Sequence, residues 1–255
     1  MTLYKNKFPI LEFDTDKNSI LMPKPEGPDR LPAKCVVSFS DYVYKYAEKV
    51  SAKVHSEFVT CTKTFKIYLT RYLGYDVCFC EVPLGASASV QLVDHLFLSG
   101  VSHMIASGSC GVLNDIPENE ILVPIKALRD EGVSYHYLKP ARFIDLNTKA
   151  VNAVEQALND ASVNFEKCIT WTTDGFFRET KQMVEYRKKE GCRVVEMECA
   201  SMAACAEFRN CIFGQILFSG DSLANAEQHD QRNWGVSSIE KAFQLSLDAV
   251  IRIIK

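Results

Sequence analysis

Short apolar runs alternate with stretches of helical spacing along most of this chain. The runs Cys35 to Phe39, Val77 to Val82, His103 to Ala106, Ile121 to Leu128, Cys168 to Thr172, Cys192 to Val195 and Gly214 to Phe218 predict buried strands. Between them, Ser87 to Leu98 predicts a helix that stops at Gly100, and Lys149 to Asn159 predicts another. Glu179 to Glu190 predicts a charged helix. Ala200, Ala203, Ala204 and Phe208 recur at helical spacing. At the end, Phe243, Leu247, Val250, Ile251 and Ile254 share one face of an amphipathic helix predicted over Ser238 to Ile254. Strand and helix in alternation predict a three-layer α/β/α sandwich. Pro23 to Pro32, rich in Pro, Gly and charge, reads as a lead-in loop. The expected organisation is one domain over 1–255, with 1–34 as a lead-in segment.

Three places in this pattern carry candidate chemistry. In the stretch 194–200, Glu196 and Glu198 stand two residues apart between a strand and an Ala-rich helix, with Met197 between them. Acids there serve either as partners of the first helical turn or as acceptors for neutral hydroxyls such as the vicinal pair of a ribose. Asp221 follows the run Gly214 to Phe218 within Ser219-Gly220-Asp221-Ser222. Turn formers explain that tetrapeptide, yet an acid just past a strand end also lies where open α/β sheets hold ligands. The run Val101 to Ala106 opens into Ser107-Gly108-Ser109-Cys110-Gly111, a loop of small residues able to offer N–H groups and hydroxyls to an anion. It has neither the Walker lysine nor the dinucleotide spacing.

Composition narrows the function classes. The chain has 255 residues, 47% hydrophobic and 24% charged, enough for a sizeable core. A net charge of −3 gives no bulk electrostatic case for nucleic acid or a membrane surface. No apolar run is long enough to span a bilayer, and the N-terminus has no apolar stretch of signal-peptide type. The ten cysteines contain no C-x-x-C and read as reduced thiols of a cytoplasmic protein. The five histidines form no metal-spaced cluster, so no metal is expected.

The three sites, in this order, resemble the nucleoside phosphorylase family, the branch of hexameric purine nucleoside phosphorylases and uridine phosphorylases. Pro83-Leu84-Gly85-Ala86-Ser87-Ala88-Ser89 is similar to the family's glycine turn before a long helix, and Gly108-Ser109-Cys110-Gly111 to its phosphate and ribose loop. The segment from Arg129 to Tyr137 resembles one typical of uridine phosphorylases; Thr173-Asp174-Gly175-Phe176-Phe177 matches the base-stacking region, and Glu196-Met197-Glu198 the ribose signature. Gly220-Asp221 falls where the purine enzymes keep a catalytic Asp.

The resemblance implies a central mixed sheet, a nucleoside substrate and inorganic phosphate as co-substrate, with no cofactor. It implies that Glu198 accepts from the ribose hydroxyls, with Glu196 beside it, and that Met197 packs on the sugar. By the same resemblance Asp221 assists departure of a purine base, Phe176 or Phe177 stacks on the base, and Ser109 and the N–H groups near Gly108 hold phosphate. It further implies a homo-oligomer, a dimer or a trimer of dimers. The chain departs from the pattern at phosphate. The family's G-D-P-x-R loop appears as Ser40-Asp41-Tyr42-Val43-Tyr44, Ala106 stands in place of an Arg, and Lys63 aligns with a third Arg supplied across a dimer interface. Lys45, Lys63 and Arg178 are the candidate replacements. Arg178-Glu179-Thr180 also replaces the Gln and Arg with which uridine phosphorylases read uracil. The polar stretch Ala224 to Trp234 reads as a lid or a plain loop, with Arg232 placed to clamp Asp221 or a ligand. Three functions therefore stand: phosphorolysis of a purine nucleoside or uridine, nucleoside hydrolysis on the same fold, and nucleoside binding or storage without catalysis.

Overall fold

The computed structural model describes residues 2–22, 30–225 and 227–254. The lead-in loop expected from Pro23 to Pro32 falls largely in 23–29, outside the described residues. A short hairpin pairs β1 (Leu3–Tyr4) with β2 (Phe13–Asp14). The other ten strands form one mixed sheet, flanked by helices as the alternation predicts. They are β3 (Lys34–Ser38), β4 (Lys53–Val59), β5 (Thr64–Tyr72), β6 (Tyr75–Glu81), β7 (His103–Val112), β8 (Ile121–Asp130), β9 (Phe143–Asp145), β10 (Phe165–Thr173), β11 (Cys192–Glu196) and β12 (Ile212–Ser222). The path across the sheet is β11-β10-β8-β12-β7-β3-β6-β5-β4, with β9 paired to β8. β3, β6, β7 and β12 pair in parallel, as do β8, β10 and β11. The β4–β5–β6 meander is antiparallel.

One pairing changes the plain layered picture. β11 also pairs antiparallel with β7, through Val194↔Val112 and Val195↔Gly111. That contact closes β7, β12, β8, β10 and β11 into a ring. It also draws the C-terminal end of β11 onto that of β7, so Val195, the residue before Glu196, faces Gly111 across the seam.

The helices are α1 (Tyr42–Lys49), α2 (Ala86–Leu98), α3 (Ser134–Tyr137), α4 (Thr148–Asp160), α5 (Lys181–Lys189), α6 (Cys199–Arg209) and α7 (Ile239–Arg252). α7 buries Phe243, Leu247 and Val250 at the face its sequence pattern marked. The core is continuous from Phe79 and Phe243 to Phe213, and burying side chains of this size stabilises by roughly 1.5–3 kcal/mol each. Tyr46, Phe79 and Phe243 meet with ring centroids 5.0 to 6.0 Å apart.

Two strands outrun their predicted ends. β7 was expected to open into a loop at Gly108 but stays extended to Val112, because Ser109 and Cys110 pair with Phe218 and Ser219 of β12 and Gly111 pairs with β11. β12 was expected to turn at Ser219. It runs on to Ser222 through an irregularity between Ser219 and Ser222, the kind of kink that re-aims a side chain beside a site. Residues 42–49 and 53–72, not singled out as elements by the pattern, form α1 and the β4–β5 hairpin.

Candidate active site

α6 begins where β11 ends, and two carboxylates divide the work at that junction. Glu196 is buried and spends its oxygens on the chain itself. Its Oε1 accepts from the hydroxyls of Thr170 (3.1 Å) and Thr172 (2.6 Å), and its Oε2 accepts from the backbone N–H groups of Glu198 (2.7 Å) and Cys199 (2.6 Å). Four donors offset the cost of burying a carboxylate. They also satisfy N–H groups that the start of α6 would otherwise leave orphaned. The Glu196 side chain thus anchors the start of α6.

Glu198 is buried as well, but it is less engaged. Its Oε1 accepts from the Gly85 N–H at 2.5 Å, in the turn between β6 and α2. Burial, and then the Glu196 charge, push its carboxyl well above the usual carboxylate range. Gly85 stands at φ +91°, a conformation suited to glycine, which is how the turn aims its N–H at this carboxylate. Met197 is half-buried beside it.

Asp221 sits at the end of β12, 8% exposed. Its Oδ2 lies 2.7 Å from Nε2 of His229, whose side chain is half exposed. This pair opens onto a cavity of about 500 Å³, lined by Phe176, Phe177, Glu179, Asp221, His229 and Trp234 among others. The rings of Phe176 and Phe177 meet edge-on with centroids 4.7 Å apart, and Trp234 approaches His229 at 6.1 Å. Glu179 is partly buried in this wall. Burial and the Asp221 charge push its carboxyl up to about 7. An aromatic-walled cavity with two carboxylates and a half-exposed imidazole suits a flat heteroaromatic ligand that exchanges protons with the wall.

Gly111 joins the two centres. A Cβ placed there would lie 3.1 Å from Val195 Cγ1 and 3.2 Å from Asp221 Oδ1. The bare glycine lets Asp221 press against the β7–β11 seam, one strand end away from Glu196 and Glu198.

The remaining predicted residues separate. Ser109 is the one exposed residue of β7. Gly108 is bare because the Phe39 ring crosses it, 2.9 Å from where a Cβ would stand. Lys63 donates to both oxygens of Glu81, and Lys45 is exposed on α1. Arg178 is exposed, and the cavity wall takes its neighbour Glu179 instead, because the chain turns between Gly175 and Thr180 before α5 starts. Arg232 does not clamp Asp221. It stands at φ +50° with Nε 3.5 Å from Asp230, and His229 holds Asp221. The loop after β12 is tied down by a bridge between Ser222 and Asp230 and by Glu118, which accepts from the N–H groups of Asn233 and Gly235.

Sequence reasoning missed His229, Glu179 and Trp234. They lie in polar stretches without periodicity, and only the close of the loop over Asp221 gives them a common address. The available signal was the concentration of His, Trp and acid after a strand-end Asp.

Comparison with known proteins agrees with this fold. The family model described as the phosphorylase superfamily matches residues 35–254. A guanosine phosphorylase of Halorubrum lacusprofundi is 26% identical over 206 residues, 76% of this chain and 84% of that protein. Among solved structures, a purine nucleoside phosphorylase from Toxoplasma gondii superposes with TM-score 0.76 at 17% identity, covering 91% of this chain and 99% of the other. A uridine phosphorylase from Vibrio fischeri superposes with TM-score 0.72 at 21% identity, covering 88% and 94%.

Proposed function

Because the chain belongs to the phosphorylase superfamily, we propose that it cleaves the N-glycosidic bond of a purine nucleoside or uridine by phosphorolysis, yielding free base and ribose 1-phosphate. The observation that carries the reading is the Asp221–His229 pair in an aromatic-walled cavity, set one strand seam away from the under-engaged carboxylate of Glu198.

In this reaction a phosphate oxygen forms a bond to the anomeric carbon as the bond from that carbon to the base nitrogen breaks. The electron pair stays with the base. Positive charge grows on the sugar and negative charge on the base, and catalysis consists of stabilising both. Glu198 accepts from the two ribose hydroxyls and fixes the ring, with Met197 against the sugar face. Asp221 delivers a proton to N7 of a purine, and half-exposed His229 returns a proton to it from solvent. Phe176 or Phe177 covers the base. Glu179 meets the far edge of the purine, where an ionised carboxylate accepts from the N1–H of a 6-oxopurine. These roles favour the purine arm of the reading. Ser109 supplies a hydroxyl to phosphate. No cofactor enters the scheme; phosphate is the co-substrate.

We further read the protein as a homo-oligomer acting in the cytoplasm. The edge strand β4, with Val54 and Val59 exposed, supports association, and among the described residues no helix is long and apolar enough to cross a membrane. The function is tested by chromatography of base released from inosine, guanosine, adenosine and uridine in phosphate buffer. Release that depends on phosphate from at least one supports the reading, and release from none, or release indifferent to phosphate, refutes it.

A further inference from the structure

Trp234 stands in the left-handed region at φ +56°, where a bulky side chain is rarely found. Such a backbone persists only where its surroundings over-determine it, and it clusters at ligand sites. The surroundings of Trp234 are specific. Glu118, in the connection between β7 and β8, turns one carboxylate oxygen on both flanks of Trp234. Its Oε1 accepts from the Asn233 N–H at 2.9 Å and from the Gly235 N–H at 2.8 Å. That connection is itself clamped to β12. Asn119 donates its N–H to the Ser219 carbonyl (2.9 Å), and the Ser219 hydroxyl donates to the Pro117 carbonyl (2.6 Å). The Trp234 backbone also lies on Gly220, where a Cβ would stand 3.2 Å from the Trp234 carbonyl carbon and oxygen. The ring held by this frame is not part of the core. The indole is 40% exposed and lines the cavity together with Phe176, Phe177, Asp221 and His229. Its centroid lies 6.1 Å from that of His229, the partner of Asp221. A large apolar ring left half in the open gains nothing from water, but it offers a stacking face to a flat ligand. Among the described residues of the cavity wall Glu118 does not appear, so it reaches the cavity only through the backbone of the loop.

We propose that Trp234 is a base-contacting residue of this cavity and that Glu118 is its positioning residue, bracing the indole from outside. The inference rests on the reading of the cavity as the base site. It deepens that reading by naming a ring beside the Asp221–His229 pair on which the base stacks, in addition to Phe176 or Phe177. Every nucleobase has a π-face, so the contact does not depend on which base is bound. A ring already fixed before the ligand arrives loses little freedom on binding, and the brace therefore raises affinity by pre-organisation. Removing the Glu118 carboxylate leaves the indole in the chain and takes away its placement.

The test uses the two tryptophans of the chain. Trp171 is buried, donates to Asp130 and does not line the cavity, so Trp234 is the reporter there. Intrinsic fluorescence is followed while the folded protein is titrated with hypoxanthine, adenine and uracil in phosphate-free buffer, which needs neither turnover nor phosphate. Calorimetry follows binding in the variants that lack the reporter. At least one base is expected to quench the wild type. Trp234→Phe is expected to keep binding within a few-fold and to lose the quench. Trp234→Ala is expected to weaken binding about tenfold, as loss of one base–aromatic stack does, with a melting temperature near wild type. Glu118→Ala is expected to move the emission of the free protein to longer wavelength and to weaken base binding. Glu118→Gln, whose amide oxygen can accept the same two bonds, is expected to stay near wild type. Unchanged binding in Trp234→Ala, a quench that persists in Trp234→Phe, or no binding of any of the three bases overturns the contact. Glu118→Ala and Glu118→Gln behaving alike overturns the positioning role. A protein that binds base in the expected pattern yet forms only free ribose from nucleosides refutes phosphorolysis and leaves Trp234 in its role.

Discussion

Glu196 and Glu198 share a strand end and burial, and differ in what their oxygens do. Glu196 is saturated by two hydroxyls and two N–H groups, whereas Glu198 meets backbone N–H groups alone, at Gly85 and Met197. Glu198→Gln is expected to lower kcat/KM by about 10²-fold, because the amide offers one acceptor oxygen fewer to the two hydroxyls, without lowering the melting temperature. Glu196→Gln has the opposite signature. It places an amide where four donors expect a carboxylate, costs about 1–3 kcal/mol of stability, and leaves kinetics far less affected. Parallel thermal melts and initial rates separate the two, and equal kinetic losses would contradict the assignment.

The same contrast governs the base site. Asp221→Asn removes a proton donor and should cost about 10²–10⁴ in rate on a purine nucleoside. His229→Ala should cost less than Asp221→Asn, because it removes the partner of Asp221 Oδ2 and not the donor itself. A rate on inosine or adenosine that survives Asp221→Asn removes Asp221 from the mechanism. Glu179 adds a pH test. Its folded value is raised to about 7 from the usual 4.5, so the native state holds a proton there that the unfolded chain has released. Its favourable share of stability is present below pH 4.5 and is lost as pH rises through 7. Glu179→Gln should therefore raise the melting temperature above pH 7 and change it little below pH 5.

Elements explain why these residues meet. Period and apolar runs place the strands and helices of the sheet within a few residues, because those segments are buried on one or both faces. The same signal does not reach the ends of β7 and β12. Ser107-Gly108-Ser109-Cys110-Gly111 and Ser219-Gly220-Asp221-Ser222 have the residues of turns, and they are extended only because neighbouring strands pair with them. No local pattern encodes the β11–β7 closure, which depends on how far the sheet coils. That seam is testable at Gly111. A methyl group there would stand 2.9 Å from Leu223 Cδ1 and 3.2 Å from Asp221 Oδ1. Gly111→Ala should displace the Asp221 side chain and lower kcat on a purine nucleoside about tenfold, while the protein still folds. Circular dichroism beside the rate assay reads both, and an unchanged kcat would show that Asp221 does not depend on the seam.

The whole molecule brings an aromatic cavity and a carboxylate at the start of α6 to one end of the sheet. Ser109, Glu198, Asp221 and the Phe176-Phe177 pair could be named as candidates from sequence because each adjoins a strand end. His229 and Glu179 could not, since the loop after β12 and the turn after Gly175 place them; Lys45 and Arg178 are exposed, and Arg232 pairs with Asp230. Phosphorolysis is the claim on which these parts converge, and the phosphate arginines absent at positions 44 and 106 make it the claim most exposed to test. The most direct measurement is the sugar product from inosine or guanosine at increasing inorganic phosphate. The account predicts a cleavage rate that rises with phosphate up to high concentrations, with one ribose 1-phosphate formed per base released. Free ribose as the only sugar product, at a rate indifferent to phosphate, would contradict it.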